Sequence, residues 1–534
     1  MILSKNTFLF LAIIITFSAI NIQTYGNPKT PDSDFQGRPD TSNRLNSEPP
    51  LSKSSDSTDN LVKGKTLSAE DLQEDALLLK KVMLDVHPGI YRYNTEEEFE
   101  NHFQDFFSRL NRDMTEAEFM KILAQFTQKV KCGHTYLNPW NMREEIRERL
   151  FGGYIYFPLG FEIHDGRLYV TKNASENNAI EPGAEILSIN GFSASSILDS
   201  LHTVAKIDGS NVQAKDKLLE LTAFGERDYN FFDYYFPLFF PMQDEMFEVT
   251  VQNFGSEKII RHRQPSLSRT ERLEIMTSRY GEPPSGKETW SLDIQEETAI
   301  LKLGTFATWS FENFDAAQFY DSTFTLINQS GIENLVIDIR GNGGGLSENK
   351  DLLLSYLTKD DILCSEDKKQ LIVTTQADSS YRQYVNTWDE IIFEGLPQSF
   401  TRPYNDRYVE LLEGSCEAIQ PSENAFLGDV FILGNQSNVS STFSLLNAIQ
   451  KEKLGTYVGQ PSGGNKQGIN GGSYFFLYLP NSQFEIDIPL KFTSYGKDAE
   501  DGYLSPDVVV KTTQENIALQ KDPYLNTVRA LLHR

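Results

Sequence analysis

The sequence predicts a multidomain α/β protein. Three observations carry that prediction: helical spacing of apolar residues from Ser68 onward, a change to strand-like patterning after residue 154, and strand–helix alternation over residues 297–530. At 534 residues the chain exceeds what one hydrophobic core ordinarily holds, so about two to four folded units are expected.

In chain order, residues 1–26 read as an export signal. Lys5 supplies a short positive start, and Phe8 to Ile20 is an uninterrupted apolar run. That run is shorter than the about 20 residues a bilayer span needs, which favours a cleaved leader over a permanent anchor. No cysteine lies beside it to take a lipid, and no other stretch is long and apolar enough to span a membrane. The mature protein is therefore expected in the periplasm, in the cell envelope or outside the cell, with no permanent membrane span once the signal is removed. Residues 27–66, rich in Pro, Ser, Asp and Asn and poor in aromatics, read as a disordered linker. Residues 67–150 read as a helical domain. A first helix begins at Ser68 with Asp71 in capping-box spacing and ends at Pro88-Gly89. A second is expected over about Glu96 to Leu110 and a third over about Thr115 to Val130.

Residues 154–254 change period. Two strands flank a turn at Asp165-Gly166, and a Pro182-Gly183 turn precedes an apolar strand and a tight Asn190-Gly191 turn. This order resembles the second half of a PDZ domain, a module that binds chain ends by adding a strand to a sheet edge. An unrelated β-rich domain with a similar turn is the competing reading. Residues 255–530 are assigned to an α/β core, with strands in ETAILKLGTF, NLVIDI, GDVFILG and GTYVG and helices over Phe311 to Ile327 and Ser440 to Gln450.

Composition narrows the partners. Lys plus Arg total 49 against 75 Asp plus Glu, a net charge of -26, and an acidic surface repels phosphate backbones, which argues against nucleic acid. The 3 cysteines, Cys132, Cys364 and Cys416, allow one disulfide with one thiol left over, or three free thiols. No metal-ligand spacing appears among the cysteines and the 7 histidines.

Three segments carry candidate chemistry. Leu335 to Gly345, LVIDIRGNGGG, runs a buried strand into glycines whose backbone N–H groups can face an anion. It lacks the Lys-Ser/Thr of a phosphate loop and the GxGxxG spacing of a dinucleotide fold, so a plain Gly-rich turn and an oxyanion site both stay open. Gly428 to Gln450 ends a strand at Gly434 and starts a helix near Ser440. A serine there suits a nucleophile, although Asn438, Ser440 or Ser441 acting as a helix cap explains the same pattern. Lys131 to Leu137, KCGHTYL, places His134 after a glycine, where it is either a structural histidine or a base.

Together these segments resemble the C-terminal-processing and tricorn-type serine peptidases. The strand into RGNGGG matches that family's most specific motif, and VSSTFSLLNAIQKEKLGTYVGQPSGGN matches its nucleophile region, with the later turn at Gly459-Gln460-Pro461. The resemblance implies Ser440 as nucleophile and a ClpP/crotonase-like core of ββα units. Gly133-His134-Thr135 resembles the segment that carries the base in the tricorn-type branch, and EDGYLSPDVVV resembles that branch's ending, which places Glu500 as the supporting carboxylate. The backbone N–H groups of Gly343, Gly344 and Ser441 are then expected to hold the oxyanion. Protein or peptide substrates are implied; no metal or organic cofactor is.

The chain departs from the family pattern in two places. The processing branch uses a lysine after the G-x-P turn; here Asn465 takes that position and Lys466 follows one place later. His134 is therefore preferred, with Lys466 as the alternative base. The nucleophile context, Asn438-Val439-Ser440-Ser441-Thr442-Phe443, lacks the usual small residues and closing Glu, which leaves a catalytically silent peptide- or ligand-binding protein as the rival. The sequence does not set the oligomeric state.

Overall fold

The computed structural model describes residues 64–533 apart from 154, 226–229, 243, 364–368, 398, 400, 405–406, 411–417 and 497–498. The expected leader, nearly all of the linker, Cys364 and Cys416 lie outside the described residues; Cys132 is a buried free thiol.

The three expected helices near the start are Ala69–Val86, Glu96–Ser108 and Glu116–Lys129. Each opens with a reciprocal capping box, Ser68 with Asp71, Thr95 with Glu98 and Thr115 with Glu118. Such a box satisfies two of the backbone donors that a helix start leaves unpaired. Phe99, Phe103, Phe106 and Phe126 fill the space between the second and third helices, with the Phe106 and Phe126 rings stacked at 4.7 Å.

The next unit is an antiparallel sheet in the order Leu159–His164, Arg167–Asn173, Glu185–Ile189, Met246–Gln252, Ile259–Pro265. Asp165, in the left-handed region at φ 50°, and Gly166 make the first turn. The sheet continues past residue 254, because Ile259–Pro265 pairs with Met246–Gln252 along its whole length. The following helix, Arg269–Tyr280, is bound back by Arg272, whose guanidinium donates to both carboxylate oxygens of Asp233 at 2.8 and 2.6 Å.

The α/β core holds a six-stranded sheet in the order Trp290–Gln295, Thr298–Leu303, Asn334–Asp338, Asp429–Gly434, Thr456–Gly459, Val508–Val509. Only the first pair is antiparallel. Both faces are covered, which is why NLVID and VFILG read as unbroken apolar runs. Leu335, Ile337 and Ile432 face the helices Ala316–Gln329, Ser347–Ser355 and Ser440–Glu452. Val336, Leu433 and Val458 face Tyr524 and Val528 of the helix Pro523–Leu532. The helix expected from Phe311 starts at Ala316 instead, because the Asp315 side chain accepts from the Gln318 amide and caps it there.

One link joins distant parts of the chain. Tyr136–Leu137, at the end of the helical unit, is an edge strand of a four-stranded sheet in the order Val385–Asn386, Tyr474–Tyr478, Glu485–Pro489, Tyr136–Leu137. That pairing ties the segment carrying His134 to the α/β core.

Candidate active site

Two adjacent parallel strands, Asn334–Asp338 and Asp429–Gly434, end side by side, and the loops that leave them meet. The meeting is closest at Gly344: a β-carbon there would sit 2.6 Å from Ser440 Cβ and 3.1 Å from the Ser441 amide nitrogen. Gly344 also has φ +106°, so glycine is required for both space and backbone angle.

Ser440 opens the helix Ser440–Glu452 at φ 54°, in the left-handed region, after an extended Val439. A non-glycine residue held there costs on the order of 1–3 kcal/mol and persists where the surroundings dictate it. Val439 occupies the helix-cap position and no side chain caps the helix, so the capping reading of Asn438, Ser440 and Ser441 does not hold.

The turn is held by side chains in a role that the sequence did not assign to them. Asn438, fully buried, donates to the carbonyls of Ile339 at 2.6 Å and Asn342 at 3.1 Å and accepts from the Asn435 amide at 2.6 Å. Asn342, also fully buried, donates to the Leu303 carbonyl at 3.0 Å and accepts from the Gly344 amide at 2.9 Å and the Thr442 hydroxyl at 2.8 Å. At the end of the first strand, Arg340 is gripped by Asp338 and Asp522. These carboxylates raise its already high pKa further against the opposing effect of burial. The signal for Asn342 was present in RGNGGG; nothing local in the sequence marks Asn438 or Thr442 as its partners.

The three expected oxyanion donors are not equivalent. The Gly344 amide is already engaged by Asn342 Oδ1. The amides of Gly343 and Ser441 have no described acceptor and lie on either side of the Gly344–Ser440 contact.

His134 sits in a loop fastened from several directions. His87 shares a 2.7 Å hydrogen bond between its Nε2 and the Thr135 hydroxyl, and its Nδ1 accepts from the Gly89 amide at 3.0 Å. The second bond requires Nδ1 to be unprotonated, so the His87 proton resides on Nε2 and is donated to Thr135. Asn470 donates to Cys132 Sγ at 3.2 Å, and the Gly209 amide donates to the Lys131 carbonyl at 2.9 Å. His134 Nδ1 is buried with no protein partner among the described residues. Burial, then the nearby charges of Lys206 and Arg92, push the His134 pKa down to about 3, so its imidazole is neutral at neutral pH. No described hydrogen bond joins His134 to Ser440.

The remaining candidates lie on the loops between. Asn465 donates to Asp501 Oδ1 at 2.5 Å and to the Asp208 carbonyl at 3.3 Å, so the carboxylate bound into the site is Asp501. Glu500 is exposed and makes no described contact with His134. Lys466 is exposed; its amide donates to the Gly502 carbonyl at 2.8 Å. Among the described residues no group of three or more His, Cys, Asp or Glu is placed to hold a metal ion.

A strained serine at a strand-to-helix turn, beside two unengaged backbone amides, is the arrangement that an acyl-transfer hydrolase of the serine type requires. Residues 297–510 match the model of Peptidase family S41, and this α/β region belongs to that family of serine-type peptidases. The match contains Ser440, the glycine loop, Lys466 and Glu500 and does not contain His134. Structures of CPAF share the fold. Mature CPAF complexed with lactacystin is 15% identical, with 87% of this chain and 98% of that chain covered and a TM-score of 0.57. A serine-to-alanine mutant of CPAF is 14% identical, with 86% and 96% covered and a TM-score of 0.61. No curated protein matches by sequence.

Proposed function

We propose that this chain hydrolyses peptide bonds through an acyl-enzyme on Ser440, with His134 as general base and Glu500 as supporting carboxylate. The observation that carries the proposal is the Ser440 turn: a left-handed serine at a helix start, pressed against Gly344, with the Gly343 and Ser441 amides unengaged. In this mechanism neutral His134 takes the hydroxyl proton as Ser440 attacks the scissile carbonyl. The two amides receive the oxyanion, and protonated His134 then returns the proton to the leaving amine. Gly344 acts by shape, since Asn342 holds its amide. Catalytic hydrogen bonds are often long without substrate, so the Ser440–His134 bond belongs to the substrate complex. Glu500 acts through a relay, for which its chain neighbour Asp501, bonded to Asn465, is the candidate.

The finer architecture belongs to the same proposal. The parallel sheet with its crossing helices supports a ClpP/crotonase-like core, and the antiparallel unit supports a PDZ-like module that presents peptide. Export rests on the Phe8 to Ile20 run; among the described residues no helix is long and apolar enough to cross a membrane.

A fluorophosphonate probe tests the nucleophile directly. Mass spectrometry should find the label on Ser440 and none in Ser440→Ala; an unlabelled wild-type chain would favour the binding protein without catalysis.

A further inference from the structure

The sheet that carries the His134 segment has an aromatic row on its outer side. Side chains alternate along Tyr474–Tyr478. Phe475 and Leu477 are fully buried in the core, while Tyr474, Phe476 and Tyr478 are half-buried on the other side. An antiparallel strand with one wetted face ordinarily places polar residues there. Here the aromatic surface is extended instead. Trp388, just beyond the edge strand Val385–Asn386, packs its ring 5.6 Å from Tyr474 and 5.4 Å from Phe476, yet stays 54% exposed. The Tyr474 and Phe476 rings stack at 5.9 Å.

The row runs to the candidate base: the His134 ring lies 6.1 Å from the Tyr474 ring. Cross-strand register extends it, with Phe476 opposite Asp487 and Asp487 opposite Tyr136, two residues after His134. Single exposed aromatics are ordinary on a protein surface; a contiguous row joined to a catalytic group marks a binding surface.

The charges beside it decide which guest fits. Asp389 accepts from the Ser473 hydroxyl at 2.8 Å and pairs with the Lys491 ammonium at 3.5 Å. Asp487 and Glu485 lie beneath, 7% and 0% exposed. Burial pushes both carboxyls up. Glu485 is fully enclosed, Asp487 accepts from Asn138 at 2.8 Å and Asp389 is already paired, so a cationic side chain would lose its water with no accessible unpaired carboxylate to replace it, while an apolar one gains from leaving water.

We propose that Tyr474, Phe476 and Trp388 form a specificity subsite that takes a large apolar or aromatic side chain of a polypeptide substrate. This rests on the peptidase reading above, and its test separates the two. Trp388→Ala removes an exposed ring, so the fold should survive; Phe476→Ala serves as a second variant. Peptides with each position flanking the cleaved bond swept through Phe, Leu, Ala and Lys should show one position where Trp388→Ala lowers kcat/KM for Phe or Leu about tenfold, a typical discrimination for an apolar pocket. The Ala peptide should change less than twofold, and small-fluorophosphonate labelling of Ser440 should keep its rate. A uniform fall, no change, or a wild-type preference for Lys at that position would overturn the subsite. Binding of a fluorescein-labelled Phe-rich peptide to Ser440→Ala, followed by fluorescence anisotropy, gives a readout free of turnover. Binding should weaken about tenfold in Ser440→Ala/Trp388→Ala, and equal binding by the two chains would overturn the subsite even if wild type labels and cleaves. Absent labelling with a retained binding difference would instead overturn the peptidase reading and keep the subsite.

Discussion

The two walls of the candidate site differ in how their buried polar groups are used. At the nucleophile turn, Asn342, Asn438 and Thr442 are fully buried and each is bonded through its side chain, while Gln436 Oε1 and Ser441 Oγ are buried without a partner among the described residues. At the base wall, His134 Nδ1, Arg92 Nε and Nη1, Asn470 Oδ1 and both Glu485 oxygens are buried with none among the described residues. A buried polar group without a partner costs about 1–3 kcal/mol, and native structures keep few of them away from functional places. The contrast is one of degree: the turn of the candidate nucleophile is braced by the Asn342–Asn438–Thr442 network, whereas the wall of the candidate base keeps more hydrogen-bonding capacity for water or substrate to satisfy.

The largest expected effect breaks the nucleophile wall at its centre. Ser440→Ala should lower peptide hydrolysis by about 10⁴-fold or more, as loss of a serine nucleophile does elsewhere. Its folded circular dichroism spectrum should be unchanged. Ser440→Gly should be equally inactive but melt higher than Ser440→Ala, because glycine relieves the left-handed strain; the reverse order of melting would remove strain from the account.

Next comes the base. A folded His134→Ala should lose about 10³-fold or more in kcat, within the range for a triad partner. Near-normal turnover in that variant would end the histidine assignment.

Asn342→Ala separates positioning from chemistry. It leaves the Gly344 amide, the Thr442 hydroxyl and the Leu303 carbonyl without their bonds, which should cost about 2–4 kcal/mol in denaturant unfolding. The same change should lower kcat more than it raises KM. On the base wall, Asn470→Ala removes only the bond to Cys132 and should cost less than half as much.

The pH dependence should show which way the base wall is tuned. With the His134 pKa lowered by burial and by Lys206 and Arg92, the acid limb of kcat/KM should fall below the ordinary histidine value of about 6.5. Stability has the matching sign: the unfolded chain takes up the histidine proton first, so His134 withdraws stability as pH falls below about 6.5. His134→Gln should flatten that part of the unfolding profile; an unchanged slope would contradict the burial.

Lys466→Ala should have the smallest effect, under about threefold in kcat/KM, since an exposed ammonium lacks the burial that turns lysine into a base.

Much of this was legible locally. Capping boxes at Ser68, Thr95 and Thr115 mark helix starts because the hydrogen bonds that define them span three residues. RGNGGG and the strand before Ser440 are short-range patterns of the same kind, and both lie in the family match. Three features were not legible. The pairing of Tyr136–Leu137 with Glu485–Pro489 spans most of the chain and leaves no periodic trace. The closure of Asn342 on Thr442 and Asn438 depends on two strands lying side by side. The left-handed Ser440 is enforced by contact with Gly344, and serine carries no such preference itself.

The sequence by itself determined the α/β class and the glycine loop, because backbone propensity and apolar periodicity act between near neighbours; the candidate nucleophile and histidine came from the resemblance of their motifs to a peptidase family. Only the tertiary structure decided which amides stay free at Gly343 and Ser441, that Val439 and no polar side chain stands at the helix cap, that Lys466 faces water, and that an aromatic row leads to His134. Those are properties of burial and of partners far apart in the chain, and they exist only once long-range packing has brought the partners together.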